Sequence, residues 1–144
     1  MTVIRELAAG ETALAFDAMH ALRAHLAGEE EFARRVDELQ RPQGYRLVVV
    51  VEDDGSVGAV AGFRVLEMLA HGRVLYIDDL STLPSARRRG HARALLEWCG
   101  EEATRAGCAS LQLDSNVSPE RLDAHRLYFN AGMRISSYHF LREL

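Results

Sequence analysis

Residues 74–98, Val-Leu-Tyr-Ile-Asp-Asp-Leu-Ser-Thr-Leu-Pro-Ser-Ala-Arg-Arg-Arg-Gly-His-Ala-Arg-Ala-Leu-Leu-Glu-Trp, read as a strand, a sharp turn and a helix. Val74 to Leu83 is apolar with few interruptions, Pro84 ends it, and Ala92, Leu95, Leu96 and Trp98 then recur at helical spacing. Arg87, Arg88 and Arg89 precede Gly90, so a small cationic loop joins the two elements. A helix that starts there leaves its first backbone N–H groups without intrahelical partners. Those donors, the positive end of the helix dipole and the guanidinium groups favour one ligand type, an anion with more than one phosphate. The loop has neither the Gly-Lys-Ser/Thr ending of a nucleotide-triphosphate loop nor the Gly-x-Gly-x-x-Gly of a dinucleotide fold.

The basic charge is local. The chain of 144 residues carries 17 Lys+Arg against 21 Asp+Glu, a formal charge of −4, which argues against a nucleic-acid partner. With 48% hydrophobic residues, a single domain over residues 1–144 can bury a sizeable core. No apolar run approaches the roughly 18 residues of a membrane span. Arg5, Glu6 and Glu11 do not suit a secretory signal, so a cytoplasmic location without membrane association is expected. Cys99 and Cys108 lack the spacing of a metal site or a disulfide framework, and no trio among the six histidines has zinc spacing, so no metal is expected.

Along the chain, residues 2–6 read as a strand. Glu11 to Leu26 reads as a helix with Leu14, Met19, Leu22 and Leu26 on one face, and Glu29 to Gln40 as a second with Phe32, Val36 and Leu39. Tyr45 to Glu52, Ser56 to Leu69 and Val74 to Leu83 follow as an antiparallel meander, with Gly58 and Gly62 marking irregularity in its middle strand. The helix over 91–106 is long enough for a crossover to a parallel strand at Ala109 to Asp114. Ser118 and Pro119 open a last helix that Gly132 closes, and Met133 to Leu144 leaves room for one strand or two short ones. The fold class is therefore α/β (α+β), with a mixed, mostly antiparallel sheet flanked by helices.

Two motifs lie on this frame. Arg87-x-x-Gly90-x-Ala92 sits between strand and helix, and Ala124, Tyr128, Gly132 and Met133 fall on the last helix as Ala-x-x-x-Tyr-x-x-x-Gly-Met. Together they resemble the acyl-CoA signature and the C-terminal motif of the GNAT family of N-acetyltransferases, whose second motif ends in Phe where Met133 stands. Arg121 occupies a position where the family often has Asn, and Asn116 is a candidate to take over part of that polar contact. The resemblance implies acetyl-CoA as acyl donor, its pyrophosphate held around Arg87, Arg88, Arg89, Gly90, His91, Ala92 and Arg93. It also implies backbone pairing of the pantetheine arm with Leu80 and Thr82, an N–H near Thr82 polarising the thioester carbonyl, and a possible homodimer. In similar proteins the N-terminal helix pair closes over the acceptor, which makes His20, Arg23 and His25 candidates for acceptor binding.

Acetyl transfer to an amine further needs an acid for the departing thiolate and a base for the amine. Tyr128 suits the first, since a phenol with an ordinary pKa near about 10 is protonated at neutral pH; a purely structural tyrosine is the alternative. Asp78 and Asp79 suit the second. Strand alternation points them to opposite faces and puts Asp78 on the side of Thr82, although either could instead pair with an arginine. Such paired aspartates would suit a cationic acceptor. His91 is expected to matter through its backbone, His125 and His139 through packing or solvation. No His or acid is positioned by sequence to activate Cys99, so direct attack by the amine is favoured over an acyl-enzyme. The reading is transfer to a primary amine of a small molecule, against two alternatives: a non-catalytic acyl-CoA-binding module and a protein N-terminal or lysine acetyltransferase. Tyr128 and the aspartates favour catalysis, because a pure binder needs neither.

Overall fold

Leu47 and the four valines after it sit at the centre of the fold. A β-branched run of this kind favours extended backbone that can be buried on both faces, and Leu47 to Val50 are fully buried. In the computed structural model, which describes residues 2–144, this run is β2 (Arg46–Val51) of a five-stranded sheet. The other strands are β1 (Val3–Leu7), β3 (Val57–Met68), β4 (Gly72–Thr82) and β5 (Ser110–Leu113), and the order across the sheet is β1-β2-β3-β4-β5. The first three pairs are antiparallel. Between β4 and β5 the chain crosses through the helix α3 (His91–Arg105), and the Ala109 N–H donates to the Arg73 carbonyl at 2.7 Å, where both strands begin. The chain divides into two compact units, Met1–Gln112 and Leu113–Leu144.

In the first unit, helices α1 (Phe16–Leu22) and α2 (Glu29–Arg35) cover one face of the sheet, where Leu7, Met19, Phe32, Val36, Tyr45, Leu47, Val49 and Val60 form the core. The opposite face carries α3, with Trp98 edge-on to Phe63 at 5.7 Å between ring centroids. The first N-terminal helix is shorter than its apolar spacing predicts, and the second is helical over the expected Glu29–Gln40 but changes type along it. The first begins as a 3-10 turn at Thr12–Ala15 and ends where Arg23 leaves helical geometry, and the second passes into a π turn at Val36–Gln40. Each change of helix type shifts the phase of the side chains. Leu14 and Leu39, expected in the core, are consequently exposed.

Two register shifts in β3 follow its glycines. Pairing runs Val50↔Ala59 and then Val51↔Val57, which leaves Gly58 over; it runs Gly62↔Asp79 and then Phe63↔Ile77, which leaves Asp78 over on β4. An extra residue of this kind inverts the alternation of the strand that carries it.

The second unit holds α4 (Leu122–Asn130), whose only buried residue is Tyr128. Gly132, at φ +83°, ends it. The one or two strands expected over Met133 to Leu144 do not form among the described residues. Ile135, Tyr138, Phe140 and Leu141 are exposed there, and their backbone joins no ladder, which is what an extended segment needs to become a strand.

Candidate active site

Tyr45 is the last residue before β2, and its ring runs over Gly62. A Cβ at Gly62 would lie 1.7 Å from the Tyr45 hydroxyl oxygen, so only glycine admits the ring. The hydroxyl donates to Oδ2 of Asp79 at 2.6 Å, and Arg23 Nε donates to Oδ1 at 2.9 Å. A second nitrogen of Arg23 donates to the Asp78 carbonyl at 3.1 Å, fixing the guanidinium against the bulge. Burial first, and the negative charge of Asp79 second, push the Tyr45 hydroxyl well above its ordinary pKa. Tyr45 thus stays a proton donor to the carboxylate. These three residues line a cleft of about 220 Å³ together with Met19, His25, Leu26, Phe32, Arg35, Val36 and Gln40.

The bulge overturns the expectation that the aspartates face opposite sides. Gly62 and Arg64 are two apart on β3 and share a face; Asp79 pairs with Gly62, and Asp78 lies two residues beyond Tyr76, the partner of Arg64. Both carboxylates therefore share the face of Tyr45. Thr82 pairs with Ala59 and points to the other, so Asp78 does not share its side. Arg64 grips Asp78 with two nitrogens at 2.8 and 2.7 Å. Asp78 is thus tied to the sheet, and of the two carboxylates Asp79 alone lines the cleft.

Of the acceptor candidates, Arg23 and His25 line the cleft. His20 is exposed on α1, its ring 5.2 Å from that of Phe16, and is not part of the cleft lining.

Beyond Thr82, Pro84–Ala86 makes a 3-10 turn and Arg87 is extended. Arg88 at φ +64° and Gly90 at φ +79° are left-handed, and no side chain caps α3. A left-handed residue next to a right-handed one, here Gly90 and the helical His91, turns neighbouring N–H groups toward a common concavity, the geometry of an anion nest. Arg87, Arg88, Arg89 and Arg93 are exposed around it, and Ala92 is half-buried in the first turn. His91 departs from expectation, because its ring matters: it is buried, with Nε2 2.6 Å from Oε1 of Glu52 at the end of β2. The bulge at Gly58 makes room for that carboxylate, since a Cβ there would lie 2.4 Å from Oε1. Leu80 and Thr82 stand half-buried on β4 between cleft and loop.

In the second unit, burial raises the Tyr128 hydroxyl above its ordinary pKa, with Arg121 beside it acting in the opposite sense. Asn116 spends its side-chain oxygen on the Ser118 N–H at 2.7 Å, and its carbonyl lies 2.9 Å from His125 Nε2. His139 Nδ1 lies 2.9 Å from an Asp114 carboxylate oxygen.

Sequence reading missed Tyr45 and Glu52. The available signal was the pair of strand glycines, each of which vacates space for one of these side chains.

A mixed sheet flanked by helices, a bulged strand running into a basic nest at a helix start, and a cleft holding a carboxylate make up the architecture of an acyl-CoA-dependent N-acetyltransferase, and comparison with known proteins agrees. Residues 14–133 match the Acetyltransferase (GNAT) family, and the chain belongs to it. An uncharacterized N-acetyltransferase, YhdJ, of Bacillus subtilis (strain 168) is 30% identical over 131 residues, 90% of this chain and 89% of that one. An aminoalkylphosphonate N-acetyltransferase of Salmonella typhimurium is 34% identical over 91 residues, 60% of this chain and 58% of the relative. Among solved structures, the aminoglycoside N-acetyltransferase AAC(6')-Iy in complex with CoA superposes with a TM-score of 0.79 at 16% identity, covering 100% of this chain and 95% of that one. No helix among the described residues is long and apolar enough to cross a membrane.

Proposed function

We propose that the chain transfers an acetyl group from acetyl-CoA to the primary amine of a small molecule, by direct attack within a ternary complex. The observation that carries this reading is Asp79: a carboxylate in a cleft, held by two donors, one residue before the strand segment that leads into the basic nest. The cleft, at about 220 Å³, is below the roughly 300–1,000 Å³ of sites for drug-sized ligands, which favours a small acceptor. One relative is named for a small-molecule acceptor. The family match over 14–133 runs through both units, which supports a single acetyltransferase domain.

The loop suits the donor, since two left-handed residues, an uncapped helix start and four exposed arginines are what a pyrophosphate requires. When bound, acetyl-CoA supplies a thioester carbonyl for attack and a sulfur that leaves as thiolate. Backbone groups of Leu80 and Thr82 hold the arm, and an N–H in this segment polarises the carbonyl, a contribution of about 3 kcal/mol for one such donor. Asp79 receives the proton that the amine gives up as its C–N bond forms; its oxygens retain free lone pairs beside Tyr45 and Arg23. Tyr128, protonated and buried, donates to the sulfur as the C–S bond breaks. Cys99 takes no part, because burial pushes its thiol up to about 12 and leaves no thiolate for an acyl-enzyme at neutral pH.

Cys99 and Cys108 are free thiols, as suits a cytoplasmic chain. The homodimer draws support from the exposed apolar side chains of Ile135, Tyr138, Phe140 and Leu141.

Calorimetric titration with acetyl-CoA, coenzyme A and ATP, followed by a thiol-release assay over a panel of amines, tests the assignment. Micromolar binding of both coenzyme A forms without ATP, and thiol release that depends on the amine, are expected. Failure of all three to bind removes it, and binding without release for any amine leaves a non-catalytic binding module.

A further inference from the structure

The charges of the acceptor cleft do not match the cationic acceptor that two neighbouring aspartates suggest. Asp78 is neutralised by the two-pronged grip of Arg64 and does not line the cleft. Asp79, the one carboxylate among the lining residues, is neutralised by Arg23 and further satisfied by Tyr45. Against it the lining sets a second arginine. Arg35, at the C-terminal end of α2, is exposed and makes no ion pair or hydrogen bond among the described residues. His25 and Gln40 add polar side chains to the lining, and Met19, Leu26, Phe32 and Val36 make it apolar elsewhere. The cleft therefore presents one fixed negative charge, already paired, and one fixed positive charge with nothing paired to it.

A free guanidinium at a cleft that already contains the amine-directed carboxylate calls for a two-ended ligand. We infer that the acceptor is a short primary amine that also carries an anionic group, a carboxylate or a phosphonate, with the amine directed to Asp79 and the anion anchored by Arg35. The planar fork of arginine matches either anion with two parallel hydrogen bonds. The same cation disfavours a diamine, which would set a second positive charge against Arg35. Orientation follows from the arrangement: anchoring the far end by its charge fixes which nitrogen faces Asp79.

The inference rests on the reading of this cleft as the acceptor site, and binding measurements test it apart from turnover. The protein is titrated calorimetrically with β-alanine, 2-aminoethylphosphonate, butylamine and 1,4-diaminobutane. The two anion-bearing amines are expected to bind at least tenfold more tightly than the other two, and their ratio to each other distinguishes carboxylate from phosphonate. Arg35→Gln, at an exposed position where folding is not at stake, should reduce that advantage to less than threefold, and Arg35→Lys should restore part of it. Equal affinity for butylamine or the diamine overturns the inference, as does an advantage that survives Arg35→Gln. Thiol release measured on the same four amines separates the two proposals: selective binding without any release sinks acetyl transfer and leaves the anion anchor standing, whereas release without preference for an anion sinks the anchor alone.

Discussion

The hydroxyl of Tyr45 and the carboxylate of Asp79 lie 2.6 Å apart, joined across the sheet through the space that Gly62 leaves open. Tyr45→Phe leaves Asp79 with Arg23 as its remaining side-chain donor. The carboxylate then turns more freely in its cleft, and kcat/KM for the amine should fall about tenfold, the equivalent of about 1.4 kcal/mol of transition-state stabilisation. Affinity for acetyl-CoA should not change. Steady-state rates and calorimetry on the same preparation check both halves.

The burial of Tyr45, together with the charge of Asp79 beside it, gives an alkaline signature. Because the folded-state pKa of Tyr45 is raised above 10.0, the unfolded chain releases this proton first as pH rises past that value, and the native chain keeps it. The contribution is complete below pH 10 and is lost above it, so stability falls with rising pH there. Urea denaturation at pH 9, 10 and 11 should show the slope, and Tyr45→Phe should flatten it.

Gly62→Ala places a methyl group where the Tyr45 hydroxyl now sits. The ring must leave or the strand must shift, at the cost of about 1–3 kcal/mol that overpacking usually carries. Thermal unfolding should show a lowered Tm, and acetyl transfer should fall with it, because the displaced ring no longer reaches Asp79.

Gly90→Glu acts at the other end of β4. The residue is left-handed at φ +79°, so any side chain is strained there, and a carboxylate would face the pyrophosphate that this loop is proposed to hold. Acetyl-CoA affinity should drop more than tenfold in calorimetry. Binding at the level of the unmodified chain would remove the loop from the donor site.

Tyr128→Phe should lower turnover at least tenfold and leave acetyl-CoA affinity nearly unchanged, since the proposed proton donor is lost and the ring remains. Unaltered single-turnover rates would take Tyr128 out of the mechanism.

The strands, the crossover helix and the basic turn were legible in the sequence because each rests on local rules: β-branched runs, a proline stop, a glycine at a helix start. The N-terminal helices were less so, since the 3-10 and π turns at Thr12 and Val36 shift which side chains face the core, and apolar spacing carries no mark of them. The facing of Asp78 and Asp79 was misread for a related reason. Alternation holds only while the ladder is regular, and here the ladder gains a residue at Asp78. Tyr45 and Glu52 were marked only by the strand glycines that make room for them, because their partners, Asp79 and His91, lie 34 and 39 residues further along the chain. The tail after Met133 has the apolar content of a strand but no neighbour to pair with among the described residues, which composition does not reveal.

The link between Glu52 and His91 bears on the thermodynamics of donor binding. A loop rich in arginine and glycine would ordinarily sample many shapes, and a ligand would have to select one against the entropy of all the others. Here the first residue of the helix is fastened to the end of β2 by a buried ring. For the donor site proposed here, the nest is held by the sheet before any phosphate arrives, so less of the binding free energy is diverted into ordering the loop.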